Sequence, residues 1–181
     1  MADDVPILRT ARLVLRGHRL EDFNALAAMW SDPDVMRFIG TGQPLSHEGA
    51  WAKLQRFAGS WPLLGYGFWV VEHAASHRVI GEAGFLESRP PGRKPRTPES
   101  GWALDTSAQG QGYGREAVAA ILAWGDERFE RTTCDISRDN SSSIALARRQ
   151  GYRDVGLTPL PAGWTGSEFI EFERETPLPA Q

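Results

Sequence analysis

Between Glu99 and Phe129 the chain passes from a short apolar segment through a glycine-rich turn into an amphipathic segment. That succession restricts the folds open to it more than any other stretch. Glu99–Asp105 has Trp102, Ala103 and Leu104 at its centre; it is too short for a helix and is bounded by turn residues, which predicts a strand. From Gly112 onward apolar residues recur at Val118, Ile121, Leu122, Gly125 and Phe129, steps of three and four that set one helix face against a core. Gly110, Gly112 and Gly114 therefore stand at that helix's N-terminus. The first N–H groups of a helix lack intrahelical acceptors, and the aligned peptide dipoles place about half a positive charge there. With no side chains at those three positions, a diphosphate can approach bare backbone.

Phosphate-binding patterns of several kinds compete for this turn. A Walker loop requires Gly-Lys-Ser/Thr at its end, whereas Gly114 is followed by Arg115 and Glu116. A dinucleotide fingerprint requires Gly-x-Gly-x-x-Gly, and counted from Gly110 its last position is Arg115. Asp135 stands about twenty residues on, where a ribose-binding acid belongs, but about a hundred residues precede the turn and such a unit usually opens its domain. The pattern Gln/Arg-x-x-Gly-x-Gly/Ala is met throughout by Gln109, Gly110, Gln111, Gly112, Tyr113 and Gly114. Through these residues the segment resembles the coenzyme A pyrophosphate loop of the GNAT acetyltransferase superfamily, which lies between the fourth strand and the following helix. A plain strand-to-helix turn is the alternative that this hexapeptide leaves open by itself.

At 181 residues, 41% hydrophobic and 24% charged, the chain has the make-up of a soluble globular protein, expected to form one domain over residues 1–181. A net charge of −3 gives no general attraction to nucleic acid or to acidic membranes. No apolar run reaches the roughly 18 residues of a membrane span, and Met1–Thr10 lacks a signal peptide's basic start and apolar centre, so a cytoplasmic location is expected. The single cysteine, Cys134, lies in an alternating apolar run and is expected to be a small buried hydrophobe. His18, His47, His73 and His77 show no metal-ligand spacing; surface positions and no metal site are expected.

In chain order, Arg12–Arg16 alternates as a strand, and Phe23, Leu26, Ala27 and Trp30 mark a helix ended by Asp32-Pro33. Ser46 caps a helix presenting Ala50, Trp51, Leu54, Phe57 and Trp61, stopped by Pro62 and Gly65. Tyr66–Glu72 and Val79–Leu86 form a hairpin about the turn His73–Arg78. Ser88–Pro98, with four prolines among four basic residues, reads as a loop, or as a basic flap over phosphates or an acidic acceptor. Thr132–Ser137 is a strand, and Asp139 or Asn140 caps a helix over Ser141–Gln150 closed by Gly151. Tyr152–Gly156 and Glu168–Glu173 are strands joined by the loop Pro159–Gly166. Together these elements predict an α/β (α+β) architecture, a mixed sheet with helices on both faces.

The resemblance extends beyond the glycine loop. Thr10–Arg16, Asp32–Met36, Gly81–Phe85 and Asn140–Ser143 look like successive blocks of the GNAT branch containing ribosomal-protein N-terminal acetyltransferases. This likeness implies a mostly antiparallel six- to seven-stranded sheet opened into a V between the fourth and fifth strands. It implies acetyl-CoA as cofactor, with pantetheine against Trp102, Ala103 and Leu104, diphosphate on Gln109–Gly114, and further contacts from Asn140 and Ser143. It implies an enzyme, an N-acetyltransferase acting on a primary amine such as a small molecule or a peptide N-terminus, as a monomer or homodimer.

Attack of an amine on a thioester needs a proton acceptor, a polarised carbonyl and a proton for the leaving thiolate, but no enzyme nucleophile. Direct transfer in a ternary complex is therefore expected. Glu82, on the strand beside the opening, is the candidate base, working directly or through water; a solvent-facing carboxylate, or one that only binds the acceptor's ammonium, is its alternative. Many relatives carry a tyrosine four residues before the glycine closing the last helix, where this chain has Ala147. Ser143 is the candidate partner for the sulfur, with Tyr152 and Tyr113 better explained by packing. The missing tyrosine leaves open a non-catalytic module that holds acyl-CoA, and a nicotinamide-binding enzyme is the remaining possibility.

Overall fold

The computed structural model describes residues 5–87, 97–158 and 166–176. Eight strands form one sheet: β1 (Leu8–Arg9), β2 (Leu13–Arg16), β3 (Phe68–His73), β4 (Val79–Leu86), β5 (Glu99–Leu104), β6 (Arg131–Ser137), β7 (Arg153–Thr158) and β8 (Phe169–Glu175). Their order is β1-β2-β3-β4-β5-β6-β8-β7, and every neighbouring pair is antiparallel except β5 with β6. The helices are α1 (Phe23–Ser31), α2 (Pro33–Met36), α3 (His47–Leu64), α4 (Tyr113–Asp126) and α5 (Ser141–Arg149).

Side chains alternate across the strands, so each face of the sheet has its own core. On one face Leu13, Leu15, Trp69, Val71 and Phe85 pack with Val118, Ile121 and Leu122 of α4. On the other, Phe68, Val70 and Ala103 meet Leu26 and Trp30 of α1 and Leu54 and Phe57 of α3. Each of these large side chains contributes about 1.5–3 kcal/mol on burial. Two buried tryptophans have their N–H groups satisfied: Trp61 Nε1 donates to the Phe68 carbonyl at 3.0 Å and Trp69 Nε1 to that of Pro6 at 2.7 Å.

Strand β1 adds to the predicted six or seven because two residues, paired Leu8 with Leu15 and Arg9 with Val14, are too few to show a period. Helix α2 is equally short; Asp32 Oδ1 caps it by accepting from the Asp34 N–H at 2.9 Å, with Pro33 in its first position. Pro62 does not stop α3, which runs to Leu64 before Gly65, at φ 76°, closes it with an N–H bond to the Trp61 carbonyl. A proline in the last turn removes one hydrogen bond without ending the helix. The predicted loops Ser88–Pro98 and Pro159–Gly166 fall largely outside the described residues. No helix among those described is long and apolar enough to cross a membrane.

Strands β5 and β6 decide the position of the site. They are paired only at Glu99 with Thr133, next to a bond from the Thr133 N–H to the Pro98 carbonyl at 3.1 Å. Beyond that point the strands part, and the β6-facing edge of β5 carries no ladder bonds. Its other edge is held tightly by β4, where a Cβ on Gly81 would stand 2.3 Å from the Ala103 carbonyl oxygen.

Candidate active site

The glycine turn follows the open end of β5. Gly110 and Gly112 adopt φ of 73° and 82°, conformations that L side chains resist, and Gly112 caps α4 with no side-chain bond. The first bond into the helix runs from Glu116 N–H to the Gly112 carbonyl at 3.2 Å, which leaves the N–H groups of Tyr113, Gly114 and Arg115 without intrahelical acceptors. A Cβ at Gly110 would meet nothing within 4 Å, so the space beside this backbone is open. Backbone donors, dipole and clearance together fit a coenzyme A diphosphate. The glutamines brace the loop: Gln109 Nε2 donates to the Leu104 carbonyl at 3.0 Å and Gln111 Nε2 to that of Ser107 at 2.7 Å.

A clamp that the sequence did not disclose fixes this turn to the sheet edge. Glu116 accepts from Thr10 Oγ1 at 2.6 Å and from the Arg12 N–H at 2.8 Å, and pairs with the Arg12 guanidinium, which also donates to the Gln111 carbonyl at 3.0 Å. Burial works against the Glu116 charge, but those donors outweigh it and hold the carboxyl below its ordinary value. The same guanidinium lies 4.5 Å over the Tyr113 ring, a packing contact for that side chain. Strand periodicity around Arg12 and a lone glutamate in the helix gave no sign of this pairing.

The V opens into a cleft of about 650 Å³ whose lining includes Trp102, Ala103, Asn140 and Ser143 on one side and Met36, Phe38, Phe57 and Leu86 on the other. Leu104 lies outside that lining, packed against the core. Asn140 Oδ1 caps α5 by accepting from the Ser143 N–H at 3.1 Å. Ser143 Oγ accepts from Trp102 Nε1 at 3.3 Å, which leaves its own hydroxyl proton to donate.

Glu82 also lines the cleft, in register with Ala103 of β5. It is 2% exposed, which corrects the solvent-facing alternative: Trp30 and Lys53, brought over the sheet by α1 and α3, cover it. Its Oε1 accepts from Trp30 Nε1 at 3.0 Å and pairs with Lys53 Nζ at 2.8 Å. Its Oε2 is buried and has no hydrogen-bond partner among the described residues. The Lys53 ammonium is pinned over the rings of Trp30 at 4.5 Å and Phe57 at 5.2 Å. Neither Trp30 nor Lys53 is singled out in the sequence as a partner of Glu82, because their approach is made through the sheet's tertiary packing.

The other candidates fall into structural roles. Ala147 is fully buried in the core and outside the cleft lining. The Tyr152 hydroxyl bonds Ser100 Oγ at 2.8 Å and Thr132 Oγ1 at 2.7 Å, and burial pushes its pKa up. Cys134 borders the cleft but is 1% exposed, and burial, then the charges of Glu99 and Asp135, push its thiol up, away from the nucleophilic thiolate. His18 departs from its expected surface position: both ring nitrogens are buried and without partners among the described residues, beside Phe57 at 5.9 Å between ring centroids. The β2–α1 connection turns inward beneath α3, which no local pattern announces. Among the described residues no group of three or more His, Cys, Asp or Glu is placed to hold a metal ion.

A sheet parted between two parallel strands above a bare helix N-terminus, with a buried carboxylate on the adjoining strand, defines an acetyltransferase of the GNAT type. The chain matches the family model described as "Acetyltransferase (GNAT) domain" over residues 12–153. YoaA of Bacillus subtilis (strain 168), an uncharacterized N-acetyltransferase, is 27% identical over 154 residues, covering 84% of this chain and 85% of that protein. The acetyltransferase from Agrobacterium tumefaciens str. C58 is similar in structure with a TM-score of 0.77 and 26% identity, covering 97% of each chain. RimL, a ribosomal L7/L12 alpha-N-protein acetyltransferase solved with coenzyme A, shares the fold at a TM-score of 0.77 and 20% identity, covering 94% of this chain and 98% of that one. The chain belongs to the GNAT acetyltransferase family.

Proposed function

We propose that this protein transfers an acetyl group from acetyl-CoA to a primary amine by direct attack within a ternary complex. Acetyl-CoA supplies the acyl group as an activated thioester. The backbone N–H groups of Tyr113, Gly114 and Arg115 bind its diphosphate, and the unladdered edge of Gly101, Trp102, Ala103 and Leu104 orients the pantetheine arm. Glu82 Oε2 receives the amine's proton, directly or through a water, and the Ser143 hydroxyl proton is available to a thiolate in the cleft.

The observation that carries this reading is the Glu82 oxygen that has no partner among the described residues, in a cleft that also borders Ala103. A buried acceptor without a donor is costly, and an incoming amine or its bridging water satisfies it. Free-thiol release from acetyl-CoA, measured across a library of primary amines, tests the activity. Glu82→Gln is expected to lower kcat about 10²–10⁴-fold and remove the acidic limb of the pH–rate profile, while heat stabilisation by coenzyme A persists. Unchanged turnover and pH profile would end the role of Glu82. Binding of acetyl-CoA with no thiol release for any amine would favour a non-catalytic acyl-CoA module.

A further inference from the structure

The cleft wall also bears on the acceptor. The charged residues in its lining are Glu82 of β4, Glu99 of β5, Asp135 of β6, and Lys53 and Arg56 of α3, the last two three positions apart and hence on one helix face with Phe57. Lys53 has three N–H donors, of which one is taken by Glu82. Arg56 is exposed and makes no ion pair or side-chain hydrogen bond among the described residues. The same lining includes the apolar side chains of Met36, Phe38, Phe57, Phe68 and Leu86.

The cleft therefore presents Glu82 Oε2, which has no partner among the described residues, together with the cations of Lys53 and Arg56 and apolar side chains beside them. Its complement is a molecule with an amine and a carboxylate on one carbon and an apolar side chain. We infer that the acceptor is an apolar α-amino acid, its amine towards Glu82 Oε2 and its carboxylate towards Lys53 and Arg56. The inference rests on the transferase reading. The N–C bond to the acyl group forms as the thioester C–S bond breaks; the amine's proton passes to Glu82 and the departing thiolate takes up a proton. A peptide N-terminus lacks the adjacent carboxylate and leaves Arg56 unpaired, and a polyamine meets Lys53 and Arg56 with like charge.

Thiol release with L-leucine and L-phenylalanine, each against its C-terminal amide and against spermidine, tests this at matched free-amine concentration. The acids are expected to exceed the amides in kcat/KM by about tenfold or more, the range of a hydrogen bond to a charged group. Arg56→Gln is expected to raise KM for leucine about tenfold and to shrink the acid-over-amide ratio. Amides equal to the acids, a preference for spermidine, or a ratio that survives Arg56→Gln would overturn the inference. Should no amine release thiol, the transferase reading is what fails. Calorimetry of N-acetylleucine against its amide on coenzyme A-loaded protein then still decides the pocket's chemistry: tighter binding of the acid supports the inference, and equal binding overturns it.

Discussion

Replacement of Lys53 by Met isolates what holds the Glu82 carboxylate inside the fold. Methionine fills nearly the same volume beside Trp30 and Phe57, but it removes the ammonium 2.8 Å from Glu82 Oε1. The carboxylate, 2% exposed, keeps a single donor, Trp30 Nε1. Removing one partner of a buried ion pair costs about 3–5 kcal/mol, because the remaining charge is left without compensation. For a chain of this size about 2–4 °C of Tm accompanies each kcal/mol, so Lys53→Met should lower Tm by about 6–20 °C. Glu82→Gln retains Oε1 as an acceptor for both donors, and Lys53, with 15% of its side chain exposed, can extend to water. That variant should lose only about 1–2 kcal/mol. The double variant should be more stable than the sum of the two losses by about 1–3 kcal/mol, the signature of residues in contact. Urea unfolding of the four proteins at neutral pH measures the cycle. Additive losses, or a Lys53→Met variant as stable as Glu82→Gln, would refute the account of a carboxylate held by its ion pair. The same Glu82→Gln protein, expected to be nearly as stable but with kcat lowered about 10²–10⁴-fold, separates the chemistry from the packing.

At the glycine turn, Gly112→Ala forces a Cβ into a left-handed backbone at φ 82° and to 3.4 Å from Arg12 Nη2, at a cost of about 1–2 kcal/mol, and it should also abolish heat stabilisation by millimolar acetyl-CoA. Gly114→Val should leave the backbone unstrained, since a Cβ there meets only Leu104 and Leu146 at 3.6 Å, yet weaken that stabilisation by covering the helix N-terminus. Thermal shifts by acetyl-CoA that survive both substitutions would remove the diphosphate from this site. A second test concerns His18. Burial, assisted by Arg16 and Lys53 and opposed by Glu82 and Asp22, holds its imidazole below the ordinary value of 6.5. The unfolded chain then binds more protons as pH falls through 6.5, so the stability is present above that pH and is lost below it. His18→Phe should flatten the decline of Tm between about pH 7 and pH 5; an unaltered slope would assign that titration to other groups.

Several parts of the molecule were legible from local pattern. The strand Val79–Leu86 follows from its run of apolar residues, and α4 from apolar spacing of which Val118, Ile121, Leu122 and Gly125 are buried in the helix, while Phe129 lies beyond its end at Asp126. The caps at Ser46 and Asn140 are equally local, since a side-chain oxygen reaches an N–H three residues on. What escaped was short or distant. Strand β1 and helix α2 are too brief to show a period, and the Thr10, Arg12 and Glu116 clamp joins residues more than a hundred positions apart.

From its amino acids alone this chain determined a glycine turn between a strand and an amphipathic helix, because backbone freedom and apolar spacing are properties of neighbouring residues. It therefore also determined where an anion can meet free N–H groups. Only the tertiary structure decided that β5 and β6 part after one pair, that Glu82 lies beneath Trp30 and Lys53 rather than in water, and that His18 turns inward. Burial and charge pairing depend on which elements cross the sheet at a given strand, and no local period in the chain encodes that.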